Sequence, residues 1–144
     1  MSALVLDAST AVSWCFEESQ TPYALGVLEV ISDGADVHVP HIWPLEVTNA
    51  LVRALRRQRI TREELFEYAR QLAGLEARVD SDQMPERAFK ELLVLAERYQ
   101  LTTYDAAYLE LALRLGLPLA TSDGNLLQAA AAARVKVFEP QTRK

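Results

Sequence analysis

Short apolar runs, each followed by a stretch of helical period, constrain this chain more than any other feature. Ala3-Leu4-Val5-Leu6 is one such run and Leu117-Pro118-Leu119-Ala120-Thr121 is another. Four or five apolar residues suit a buried strand, since a helix needs about ten or more to bury a comparable face. Val37-His38-Val39, residues 75–79 and Val135-Lys136-Val137-Phe138 read as three further strands, the last of them at an edge.

The segments between them carry helix signals. Residues 8–16 and 22–31 have apolar positions at helical spacing, and Asp33-Gly34 marks a turn after them. Pro44 suits a first helical position and opens a helix to residue 57, with Val47, Leu51, Ala54 and Leu55 inward. Thr61 and Glu64 have capping-box spacing ahead of a helix that turns Leu65, Phe66, Ala69 and Leu72 to one side and stops at Gly74. Pro85 opens another, with Ala88, Phe89, Leu92, Leu93, Ala96 and Tyr99 on one face. Thr103 is expected to cap a largely apolar helix over residues 104–115 that ends at Gly116. Asp123 is expected to start a last helix over residues 126–133. Strands alternating with helices predict an α/β domain with a mostly parallel sheet, right-handed crossovers and helices on both faces.

The 144 residues, half of them hydrophobic, suffice for one sizeable core. No linker-like stretch divides them, so residues 1–138 are expected to form a single domain, with 139–144 a frayed tail. The single Cys15 excludes an internal disulfide and a cysteine-built zinc site. No basic segment precedes the first apolar run, and no run approaches the ~20 apolar residues of a membrane span. These features predict a cytoplasmic protein.

Three aspartates and a glutamate stand where such a sheet would gather them. Asp7 follows the first strand and Asp123 the strand near Leu119, while Glu46 opens the helix after Val39 and Asp105 the helix after Thr103. Singly, each reads as a helix cap or a first-turn acid. Together they do not, because in an open parallel sheet the strand carboxyl ends and following helix starts share one edge, where ligands bind. Four carboxylates in one crevice repel one another unless a cation offsets them. An oxygen-only donor set suits Mg²⁺ or Mn²⁺ better than Zn²⁺. Ser9, Asn49 and Thr121 are spaced to orient these carboxylates: Asn49 shares a helix face with Glu46, and Ser9 and Thr121 lie two residues from Asp7 and Asp123. Net charge is −5, which argues against binding nucleic acid through a broadly basic surface. Even so, Arg53, Arg56, Arg57, Arg59 and Arg62 fall within ten positions.

The ordered set Val5-Leu6-Asp7-Ala8-Ser9, Glu46-Val47-Thr48-Asn49, Tyr104-Asp105-Ala106-Ala107-Tyr108 and Thr121-Ser122-Asp123-Gly124-Asn125-Leu126 resembles a PIN domain over nearly the whole chain. It resembles in particular the VapC toxins of bacterial and archaeal toxin–antitoxin pairs. The resemblance implies a three-layer α/β/α fold and a Mg²⁺- or Mn²⁺-dependent endoribonuclease. It also implies a homodimer inhibited by a VapB-type antitoxin, in a larger complex with it. Carried over by position, the acids are Asp7, Glu46, Asp105 and Asp123, the hydroxyls Ser9 and Thr121, and the asparagine Asn49. Gly124-Asn125 stand where many members have a basic or larger polar residue, so no basic phosphate contact carries over there. Arg53, Arg56, Arg57 and Arg59 are the candidate RNA contacts, against a solvated face or a partner-facing patch. His38, His41, Trp14 and Trp43 read as structural. Two rival readings are a catalytically silent module of the same fold that binds RNA or protein, and a Mg²⁺-dependent phosphohydrolase. The second is disfavoured, since Ser9 stands where an aspartyl-phosphatase would carry its second aspartate and no Gly-rich phosphate loop is present.

Overall fold

At the centre of the fold is β1 (Ala3–Leu6), in which Leu4, Val5 and Leu6 are all fully buried. Burial on both faces is why this strand reads as a continuous apolar run and not as an alternation. The computed structural model describes residues 2–82 and 84–140. Beside β1 lies β2 (Asp36–Pro40), and beyond it β3 (Arg78–Asp80); on the other side of β1 lies β4 (Leu119–Ala120). All pairs are parallel, with Leu4 opposite Val37, Val39 opposite Val79, and Val5 opposite Leu119.

The helices are α1 (Ala8–Ser13), α2 (Pro22–Ser32), α3 (Trp43–Arg56), α4 (Arg62–Ala73), α5 (Met84–Arg87), α6 (Leu93–Tyr99), α7 (Thr103–Leu115) and α8 (Gly124–Ala132). With the sheet they make the three-layer α/β/α arrangement. The central helix α7 packs on β1, β2 and β4 and carries α6 and α8, while α1 packs against α2 and α3, and α3 against α4. Among the described residues, no helix is long and apolar enough to cross a membrane.

Local chemistry sets most helix ends. Thr21 caps α2 by accepting the Ala24 amide, with Pro22 at the first position. The Thr61–Glu64 capping box closes in both directions, at 3.1 and 3.0 Å. Gly116 ends α7 at φ 66°, a conformation that a residue with a Cβ adopts with strain.

Five expectations need correction. The helix expected over residues 8–16 stops at Ser13, whose hydroxyl binds the Thr10 carbonyl at 2.6 Å; Trp14 and Cys15 turn instead. The third strand is Arg78–Asp80 and not residues 75–79, because it is defined by pairing with β2; Leu75 and Ala77 only pack on the core. The segment after Pro85 is broken by a π turn at Ala88–Leu92, whose extra residue rotates the helix face. Leu92 and Ala96 point inward, while Phe89 is 82 % and Leu93 55 % exposed. Thr102, not Thr103, caps α7, accepting the Asp105 amide at 3.0 Å. The last expected strand is reduced to a single parallel bridge between Leu119 and Val137. Beyond it the Tyr23 hydroxyl donates to the Phe138 carbonyl, and Pro140 lies so close to Gly26 that a Cβ there would meet it at 2.8 Å. Residues 141–144 of the expected tail lie outside the described residues.

Candidate active site

The order β3-β2-β1-β4 reverses direction between β1 and β4, and in parallel sheets the crevice at such a reversal is where ligands bind. Asp7 leaves β1 at this point, and Thr121 and Asp123 leave β4 beside it. Asp7 has the backbone of a helix cap, φ −71° and ψ 141°, yet its side chain makes no capping bond. Its Oδ2 accepts instead from the Ser9 hydroxyl at 2.6 Å and the Thr121 hydroxyl at 2.8 Å. Thr121 Oγ1 also accepts the Asp123 amide, which ties the two strand ends together. Asp123 does cap: it accepts the Leu126 amide at 3.0 Å and starts α8. Its place in the crevice and its role as a cap coexist.

Glu46 projects from the first turn of α3 and Asp105 from the first turn of α7. Glu46 accepts from the Tyr108 hydroxyl at 2.6 Å, a contact between α7 and α3. Asn49, expected to orient Glu46, lines the same cleft without bonding to it. Tyr108 was not singled out from sequence, although it lies three residues after Asp105 on one helix face, and that spacing was the available signal. The cleft holds about 620 Å³ between Leu45, Thr48, Asn49, Val52 and Tyr104, with Glu46 at its edge.

The four carboxylates form one electrostatic unit. Burial pushes the Asp7 carboxyl above the usual carboxylate range, against the Ser9 and Thr121 hydroxyls, and the Asp123 charge adds to the rise. Glu46 is raised first by burial and then by the charges of Asp7 and Asp105. Asp105 is raised by burial, then by Asp7 and Asp123. Each shift records uncompensated negative charge in a partly dry crevice. Among the described residues no three His, Cys, Asp or Glu side chains are close enough to hold one ion together. The donor chemistry still fits a hard divalent cation of the Mg²⁺ type, which takes only one or two carboxylates and keeps several waters.

The candidate RNA-contacting arginines separate. Arg53, Arg56 and Arg57 are exposed. Arg59 is engaged elsewhere: it pairs with Glu18 and lies 4.8 Å over the Phe16 ring. Trp14 donates to the Ala24 carbonyl and Trp43 is in the core. His41 Nδ1 is buried with no hydrogen-bond partner among the described residues. Apart from the acid site, buried Glu110 accepts from Arg87 at 2.7 Å and Arg114 at 2.8 Å, and Arg114 also pairs with Asp80.

Comparison with known proteins gives the family and the fold. Residues 4–132 match the PIN domain family, and the chain belongs to that family as a VapC-type protein. It is 35 % identical over 129 residues to Ribonuclease VapC12 of Mycobacterium tuberculosis, in two strains, covering 87 % of this chain and 90 % of that protein. Its fold is similar to the crystal structure of PAE2754 from Pyrobaculum aerophilum. There the TM-score is 0.66 and the identity 25 %, covering 89 % of this chain and 79 % of that one.

Proposed function

We propose that this protein is an endoribonuclease that requires Mg²⁺ or Mn²⁺ and acts as the toxin of a VapBC-type pair. Asp7 carries the proposal. It is 5 % exposed at the sheet's switch point, forgoes its cap, and is held by two hydroxyls within the field of three further acids. A fold gains nothing from such an arrangement unless a cation or a reacting group uses it. Similarity to a protein named a ribonuclease supports RNA as the substrate.

Asp7 and Asp105 are assigned as the direct cation ligands, with Glu46 and Asp123 reaching it through water. A cation held there would supply an activated water for in-line attack on a phosphodiester and charge for the leaving oxygen. The chain's own part is orientation. Ser9 and Thr121 fix one Asp7 oxygen and leave Oδ1 without a side-chain hydrogen bond among the described residues, and Tyr108 fixes Glu46. Arg53, Arg56 and Arg57 draw in the phosphate backbone. The same reading makes the protein a cytoplasmic homodimer, restrained by a VapB-type antitoxin.

The test is cleavage of structured RNAs by purified protein with and without Mg²⁺. Asp7→Asn and Asp105→Asn should each abolish metal-dependent cleavage while the circular-dichroism spectrum is unchanged. Full activity in both variants overturns the assignment. Inactivity of the wild-type chain, with no Mn²⁺-dependent thermal shift, favours the silent binding module.

A further inference from the structure

Beside Asp123 the structure offers more hydrogen-bonding capacity than the acid site uses. A pocket of about 290 Å³ is lined by Asp123 and six hydroxyl-bearing residues from α1, the 3-10 turn at Glu17–Ser19, the cap of α2 and the turn after β4. Two of these hydroxyls are already donated, Ser9 to Asp7 and Ser13 to the Thr10 carbonyl. Thr21 oxygen accepts the Ala24 amide and keeps its proton to give. Ser122, at the mouth, is exposed and makes no side-chain hydrogen bond among the described residues. Thr10 is the telling member. It is 2 % exposed, and its hydroxyl is buried without any partner among the described residues. Buried hydroxyls without partners are rare and mark a missing ligand or water.

The pocket continues the acid site. An adjoining cleft of about 320 Å³ shares Ser9, Ser13 and Ser19 with it and reaches Glu46, so an open path runs past Ser9 from Glu46 to Asp123. A strand laid along this path with its phosphate at the carboxylates puts a neighbouring sugar into the hydroxyl pocket. The lining suits a sugar and not a second phosphate: among the described residues no cationic side chain lines it, and the one charged residue is Asp123. A ribose brings what such a lining can pair, a 2′-hydroxyl that both donates and accepts and that separates RNA from DNA.

We propose that this pocket receives the ribose next to the scissile phosphate and, through Thr10 and Ser122, makes the protein selective for RNA over DNA. The proposal rests on the nuclease reading for where the strand lies. The experiment measures fluorescence anisotropy of a short oligoribonucleotide and of the DNA of the same sequence, in Mg²⁺. An Asp105→Asn background keeps the strand intact. That protein should bind RNA about tenfold more tightly than DNA, the size expected for one or two hydrogen bonds. Adding Thr10→Val or Ser122→Ala should remove most of the preference by weakening RNA binding while leaving DNA binding unchanged. Thr10→Val keeps the volume and deletes an unpartnered hydroxyl, so its melting temperature should hold or rise, and exposed Ser122→Ala gives an independent check. A preference that survives both substitutions, or no preference to begin with, overturns the proposal; water alone in the pocket gives the first of these. If the preference depends on these residues but the wild-type chain cleaves no RNA, the nuclease reading falls and the ribose pocket stands.

Discussion

A carboxylate that is buried beside other carboxylates weighs on the fold that holds it. Asp7 has its proton affinity raised by burial and by Asp123, so the folded chain retains a proton at a pH where the unfolded chain has released it. Stability from this group is therefore complete below the ordinary carboxylate range and is lost as pH rises through the raised value. With a chelator present, the melting temperature should fall as pH climbs above about 4. Asp7→Asn, which keeps an oxygen for Ser9 and Thr121, should flatten that fall. It should also melt higher than wild type at pH 7, by roughly 3 °C for each kcal/mol of repulsion removed in a chain of this size. Calorimetry across pH checks both, and a lower melting temperature for Asp7→Asn refutes the account. Tyr108 acts in the other direction, since its hydroxyl holds Glu46 down. Tyr108→Phe should move the acid limb of the cleavage profile to higher pH, and an unmoved limb would remove Tyr108 from the site.

At the scale of elements, α7 does two jobs. Its first turn presents Asp105, and its middle carries Glu110, which neutralises Arg87 and Arg114 and so joins α5 and the β3 end to the core. Removing one partner of a buried pair leaves a charge without compensation, so Glu110→Gln should destabilise by about 3–5 kcal/mol in urea. Thr61→Ala breaks a cap far from the acids and should cost about 1 kcal/mol with cleavage unaffected.

The elements also show what the sequence made legible. Asp7, Glu46 and Asp123 are brought to one edge because strand ends and helix starts are written in local residues, as in Thr61-Arg62-Glu63-Glu64 and Gly116. The π turn at Ala88–Leu92 is not written that way. It shifts the helix face by one residue, and Phe89, which has the right period for the core, ends in solvent. Residues 75–79 misled for a related reason, since Leu75 is apolar but β3 exists only through its pairing with β2. Asn49 shares a face with Glu46 as its spacing says, but the Glu46 carboxylate is taken by the Tyr108 hydroxyl of α7.

For the molecule as a whole, the charge pattern predicts how it meets cations and RNA. Mn²⁺ binding to the folded chain alone should stabilise it by about 2.7 kcal/mol at a hundred times its dissociation constant, read as a thermal shift that Asp7→Asn loses. Replacing Arg53, Arg56 and Arg57 with glutamine should lower the slope of log affinity for single-stranded RNA against log salt by about 2. An unchanged slope would take these arginines off the substrate path.

The shortest strand bears on how the protein is made. β4 is two residues long and is flanked by β1 from one end of the chain and by Val137 from the other. The hydrogen bond from Thr121 to Asp7 spans 114 positions. During synthesis at about 5–20 residues per second, Asp7 emerges from the ribosome several seconds before Thr121 can reach it. The acid cluster is therefore completed only after β4 has emerged and paired with β1. A nascent chain that has exposed Asp7 but not Thr121 lacks one of the two hydroxyls that hold this carboxylate, so the site takes shape only once β4 has docked on β1.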